Sequence, residues 1–297
     1  GKQAALFMPT GTQSNLCGLM AHCQRGDEYL VGQSAHTYRY EGGGAAVLGS
    51  IQPQPLAQDA RGQMSLADIA AAIKPDDEHF ARTRLLALEN TWNGQRMPME
   101  YLQQASGMAR QHGLAVHLDG ARVMNAAVDQ AAAHGSDAFT ELRAITDLFD
   151  SVSVCFSKGL GAPVGSALCG SKELIQKAHR ARKMLGGGMR QSGFLAAACL
   201  HAIDHHVDRL SDDHRRAKTI AKAINQLEDF EVKMDTVETN MVYFESKAPA
   251  LEVMEGLRRM NIDVLDVKPN VCRIVVHLHV TDEDVEHIIE AFSSLES

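Results

Sequence analysis

Short apolar runs alternate with stretches of helical periodicity over the first two-thirds of this 297-residue chain, and several of those runs stop on a charged residue or a glycine-bearing turn. Alternation of this kind builds βαβ units around a mainly parallel sheet. In open sheets of that type ligands collect at the carboxyl ends of the strands, so the strand ends are where chemistry belongs. Ala4 to Met8, Tyr29 to Val31, Leu85 to Leu88, Ala115 to Leu118, Ser151 to Phe156 and Ser166 to Cys169 read as strands. Gln13 to Cys23 and Pro98 to His112 read as helices, the second with Pro98 at its first turn and Gly113 closing it. After Gly193 the pattern changes to two long helices, 193–210 and 212–227. Strands at 230–234, 241–244, 262–267 and 271–276 follow, with helices at 251–260 and 282–295. The expected architecture is a large α/β domain over residues 1–208 and a small C-terminal α+β domain over 209–297.

Composition narrows the class of function. A formal charge of -8 argues against nucleic acid or an anionic membrane surface as partner, since both select a basic face. No stretch approaches the roughly 20 apolar residues of a membrane span. The six cysteines stand at 17, 23, 155, 169, 199 and 272 without a CxxC pair, which is neither a disulfide framework nor a zinc knuckle and fits a reducing cytoplasm. The chain opens on Gly1-Lys2-Gln3 and runs at once into an apolar segment, which reads as the middle of a longer protein.

Candidate chemistry sits at the strand ends. Lys158 follows Val152-Ser153-Val154-Cys155-Phe156 and precedes Gly159-Leu160-Gly161. A lysine at the end of a buried strand is desolvated, which favours the neutral amine that Schiff-base chemistry needs, and the glycines leave room for a ring such as that of pyridoxal phosphate (PLP). A solvated lysine in a turn is the plainer alternative. Asp119 ends another buried strand and requires a cationic partner, either the pyridine nitrogen of PLP or Arg122 bracing the same turn. Thr10-Gly11-Thr12 joins a strand to a helix, as a phosphate cradle or as a simple cap. The segment from Arg182 to Arg190 flanks three glycines with cations, either a surface loop or an arm carrying charge to an anion. His36 follows a strand and could stack on a ring or move a proton. Arg273 lies inside an apolar strand and needs an anion, from a substrate carboxylate or an internal ion pair. His277 and His279 lack further ligands at metal spacing and read as structural or surface residues, as do His205 and His206.

Taken together, Leu118-Asp119-Gly120-Ala121-Arg122, the run Ser157 to Ser166 and the run Gly186 to Gly193 closely resemble the low-specificity L-threonine aldolases. Pro9 to Asn15 and Glu41-Gly42-Gly43 are similar too, and the resemblance spans nearly the whole chain. It implies the PLP-dependent transferase-like fold (fold type I) and a PLP-dependent carbon–carbon lyase that splits L-threonine, L-allo-threonine and related β-hydroxy-α-amino acids into glycine and an aldehyde. A β-eliminating lyase, an aminotransferase and a non-catalytic PLP-binding protein are the alternatives. Carried over, Lys158 is the Schiff-base lysine, Asp119 the partner of the pyridine nitrogen, and His36 stacks on the cofactor ring. Gly11 and Thr12 hold the phosphate, with Lys183 and Arg190 from a neighbouring subunit, while Arg122 and Arg273 bind the substrate carboxylate. The implied assembly is a cytoplasmic homotetramer with shared active sites. The family's chains begin with an Arg-Ser-Asp-Thr-Val-Thr segment, whose serine helps bind the carboxylate, and this sequence starts after it. Members also carry histidine where Trp92 stands, so Trp92 is expected to reshape the substrate pocket and to leave His36 or an ordered water as the base.

Overall fold

The strand-forming runs assemble into two sheets in the computed structural model, which describes residues 1–295. The larger contains β1 (Ala4–Met8), β2 (Asp27–Gly32), β3 (Gln52–Leu56), β4 (Arg82–Glu89), β5 (Ala115–Gly120), β6 (Ser151–Cys155) and β7 (Ser166–Gly170), in the order β1-β7-β6-β5-β4-β2-β3. Strands β3, β2, β4, β5 and β6 are mutually parallel. Only β7 opposes its neighbours β6 and β1. The link between β6 and β7, residues 156–165, is too short for a crossover helix, so the chain returns antiparallel. The central strands are buried on both faces, which is why they read as near-continuous apolar runs.

Strand β3 was not expected from the sequence. Its Gln-Pro-Gln-Pro-Leu pattern carries prolines at 53 and 55, which argue against a strand in a sheet interior. It forms because it lies at the edge, paired only with β2, where the side lacking N–H groups faces away. The helix read as Gln13 to Cys23 runs as α1 (Gly11–His22), starting earlier because Thr10 caps it by accepting from the Gln13 N–H at 3.1 Å.

The second sheet is antiparallel throughout, with β8 (Phe230–Val232), β9 (Met241–Ser246), β10 (Leu265–Lys268) and β11 (Val271–Val275) in the order β10-β11-β9-β8. Ile262 and Val264, read as part of a strand, are instead buried in the core of this unit just ahead of β10. Phe230, Phe244 and Phe292 meet edge to face there at 5.1 to 5.8 Å between centroids. The core of the larger sheet packs against helices Met99–Gln111 and Val123–His134 and extends to Leu210. The fold is α/β, a large mainly parallel sheet joined to a smaller α+β unit. No described helix is long and apolar enough to cross a membrane.

Candidate active site

Adjacent parallel strands β4 and β5 end in register on Glu89 and Asp119, so two carboxylates emerge side by side at the carboxyl edge of the sheet. Asp119 is buried, its Oδ2 accepting from Asn15 Nδ2 at 2.9 Å and its Oδ1 from the Ala121 N–H at 3.1 Å. The bracing pair with Arg122 does not form. Glu89 Oε2 accepts from the His36 N–H at 2.9 Å and fixes the start of that turn. Burial and the neighbouring Asp119 hold the Glu89 carboxyl well above the usual carboxylate range. His36 Nδ1 lies 2.9 Å from Glu41 Oε1, leaving Nε2 as the free ring nitrogen. That bond to Glu41 raises the His36 pKa above its ordinary value, while burial raises that of Glu41. His36, Glu41 and Asp119 present side-chain atoms within 4.8 Å of one another.

Lys158 leaves the end of β6 half-buried and lines a cavity of about 410 Å³ with Arg122, Ser157 and Gly161 on one side and Asn240, His277 and His279 on the other. Gly161 has φ of +71° and a Cβ there would come within 2.7 Å of the Leu278 side chain, so only glycine lets the Lys158 turn meet the small unit. Arg122 precedes the helix Val123–His134, and its Nε is buried without a hydrogen-bond partner; Arg273 Nε on β11 is in the same state. Burial, and then the charge of Arg273, lower the Arg122 pKa. Two guanidinium groups that repel one another and keep unpaired buried donors describe a place for an anion.

Gly11 opens α1 with its Cα facing Ser166, whose buried Oγ has no partner and would lie 3.7 Å from a Cβ at position 11. Thr12 is exposed on the first turn. Lys183, in the last turn of helix Lys172–Met184, and Arg190, in the loop after it, are exposed and do not line the Lys158 cavity. Trp92 is buried against Gly62, its backbone paired with Gln95, and is likewise outside that lining. Within the single chain, therefore, Lys158 and Arg122 share a wall with Arg273 close behind, and Asp119, Glu89 and His36 form the neighbouring polar floor.

A family profile described as Beta-eliminating lyase matches residues 1–247. The low specificity L-threonine aldolase of Escherichia coli (strain K12) is 48% identical over 291 residues, covering 97% of this chain and 83% of that protein. This chain belongs to the low-specificity L-threonine aldolases. A probable low-specificity L-threonine aldolase 2 of Arabidopsis thaliana is 39% identical over 99% of this chain and 84% of that protein. Threonine aldolase from Leishmania major superposes with a TM-score of 0.84 at 20% identity, over 99% of this chain and 84% of that one. A putative L-allo-threonine aldolase from Listeria monocytogenes gives 0.80 at 22% identity, over 100% and 83%. The fold is thus that of the fold type I PLP enzymes.

Threonine aldolases depend on PLP, and the residues present fit that group. A buried carboxylate without a cation stands at Asp119, a half-buried lysine reaches the cavity, and a bare Gly11 faces an unpartnered Ser166 hydroxyl. Several residues of the candidate site carry no role in the sequence reading. His277 and His279 read as structural or surface residues, and the chain turns after β11 to bring both into the cavity wall. Asn240, whose Oδ1 is buried and unpartnered, gave no local signal at all. His117 did: it stands two residues before Asp119 on β5, hence on the same face of the strand.

Proposed function

We propose that this chain cleaves L-threonine, L-allo-threonine and related β-hydroxy-α-amino acids to glycine and an aldehyde. The observation that carries the reading is the pair Arg122, in the wall of the Lys158 cavity, and Arg273 close enough to act on its charge, each with a buried, unpaired Nε. Bound PLP, for which Lys158 is the anchoring amine until the substrate amine displaces it, would supply the electron sink for the pair left on Cα when the Cα–Cβ bond breaks. Asp119 is the partner of its ring nitrogen. Arg122 and Arg273 hold the substrate carboxylate, each charge-assisted bond contributing about 1.5–3 kcal/mol, and so fix the rotation about Cα. His36, oriented by Glu41, would lie against the cofactor ring and take the β-hydroxyl proton at its free Nε2. Gly11 and Thr12 hold the phosphate with backbone N–H groups that the Thr10 cap leaves free. Trp92, which does not line the Lys158 cavity, acts on the substrate's β-substituent only through the loop it packs against at Gly62.

We assign Lys183 and Arg190 to the phosphate of a neighbouring subunit in a homotetramer with shared sites. Support comes from helix Gly193–His206, which leaves Phe194 92% exposed and Leu200 61% exposed close in sequence to that loop, apolar side chains that need cover. Six free cysteines favour a cytoplasmic setting. We place the unit boundary near 208/209, with the larger core running just past it to Leu210 and the smaller beginning at Ala217.

The test is product analysis with PLP and each threonine diastereomer. Glycine and acetaldehyde support the reading; ammonia and a keto acid would replace it with β-elimination, which the match to the β-eliminating lyase profile makes the second reading. Lys158→Ala is expected to abolish both turnover and the visible absorbance of bound cofactor. An unchanged yellow spectrum in that variant removes Lys158 from its role.

A further inference from the structure

Asn15 projects from α1 between two buried carboxylates. Its Nδ2 donates to Asp119 Oδ2 at 2.9 Å and to Glu41 Oε1 at 2.8 Å. Both amide hydrogens are used, which settles the orientation of the group. Asn15 Oδ1 therefore faces the opposite way, 3.2 Å from His117 Nε2, and an acceptor there requires the His117 proton on Nε2. Nδ1 of the same ring then accepts from the Ser151 hydroxyl at 2.7 Å. Ser151 Oγ accepts in turn from His22 Nε2 at 2.7 Å. Every donor in this row points from the half-buried His22 toward the two carboxylates, an arrangement in which each bond polarises the next.

The fold builds the row deliberately. Asn15, Gly18 and His22 lie on one face of α1, and a Cβ at Gly18 would stand 2.9 Å from His117 Cε1, so the helix is bare where the ring seats against it. His117 and Ser151 are register partners on β5 and β6, which puts their side chains on the same face. Asn15, His117 and Ser151 are each at most 2% exposed. Burial pushes the His117 pKa down to about 3 and that of His22 down to about 4, so both rings are neutral near pH 7.

We propose that Asn15 is a positioning residue that holds the carboxylates of Asp119 and Glu41 together through its two amide hydrogens, and that the His117–Ser151–His22 row fixes its amide. The proposal rests on the reading of Asp119 as partner of the PLP ring nitrogen and of Glu41 as the group that orients His36. One amide then serves the cofactor side and the proton-transfer side of the site at once. Replacing it removes a shared donor from two carboxylates, which changes the charge presented to the ring without touching substrate.

The experiment compares the holoenzyme with Asn15→Ala, His117→Phe and His117→Gln. Cofactor content, the pH midpoint of the visible band, kcat and KM for L-threonine are measured. Asn15→Ala is expected to keep its PLP, to shift the midpoint by about one unit, and to lose about tenfold or more in kcat with KM within about threefold. His117→Phe moves in the same direction, and His117→Gln, which restores an N–H near the Nε2 position, recovers most of the loss. An Asn15→Ala enzyme with the parental midpoint and kcat overturns the assignment. Nitrogen-detected NMR of the histidine rings in the unaltered protein tests it independently of how any variant folds. His117 is expected as the neutral Nε2–H form, and an Nδ1–H tautomer or an imidazolium reverses the row and overturns it. Should the unaltered protein take up no PLP, or release no glycine from L-threonine, the functional reading falls and the positioning role falls with it; the parental controls separate that outcome from a failure of Asn15 alone.

Discussion

Arg122 and Arg273 repel one another across buried space, and each keeps a donor without an acceptor. Residues held that way favour an anion over each other's company, so removing one separates binding from stability. Arg273→Leu is expected to raise KM for L-threonine about 10- to 100-fold while PLP content is kept and the melting temperature does not fall. Steady-state kinetics beside a thermal melt check both halves, and a lower melting temperature with an unchanged KM would make Arg273 structural. His36 gives a second handle. Its pKa is raised first by the bond to Glu41, and a base acts in its neutral form, so kcat/KM is lost as pH falls through that raised value. Glu41→Gln removes the carboxylate and is expected to move the acid limb of the kcat/KM profile about one unit lower. An unmoved limb would take His36 out of the proton transfer.

At the scale of elements, the connections carry as much of the site as the strands do. Gly62 holds φ of +78° and a Cβ there would lie 2.3 Å from Trp92 Cγ, so the loop after β3 is pressed against the indole. Gly62→Ala strains the backbone and displaces the ring together, and is expected to destabilise the fold by about 1–3 kcal/mol in denaturant unfolding. A loss within the error of the unfolding curves would show the indole free to move aside. How much of this was legible beforehand follows from the range of each interaction. Lys158, Asp119 and the turn at Gly11 were legible because polar residues ending apolar runs are local signals. The strand β3 was hidden by its prolines, which a sequence window weighs as breakers and an edge position tolerates. Asn15 was visible only as part of a similar motif, because its role depends on residues far along the chain at 41, 117 and 119. Asn240 and His277 reach the cavity from the second unit, and no spacing rule links them to Lys158.

The molecule as a whole carries a pH dependence that its net charge does not reveal. Burial lowers the pKa of His22 to about 4, and those of His117 and His214 to about 3. A histidine depressed on folding binds fewer protons folded than unfolded, so its contribution is complete above about pH 6.5 and is lost as pH falls toward the folded value. Each such ring removes roughly 1.4 kcal/mol per pH unit within that window. Glu41, Glu89 and Asp213, raised by burial, act in the opposite sense and offset part of the loss at pH values above their unfolded range. The melting temperature is therefore expected to drop steeply below about pH 4.5, where the carboxyls no longer offset the rings. Thermal melts from pH 7 to pH 3.5 measure it, and a flat profile would mean the buried rings are solvated.

The edge strand β3 has a consequence for how copies of this chain can meet. With Pro53 and Pro55 at alternate positions, the outer rim of the large sheet offers carbonyl oxygens but lacks donors at two successive outward places. A foreign strand laid along that rim finds a broken ladder, so the sheet is closed to growth from that end. Crowding or transient opening leaves no template there for one sheet to continue into another. At that rim, side-chain complementarity rather than backbone pairing decides what can join.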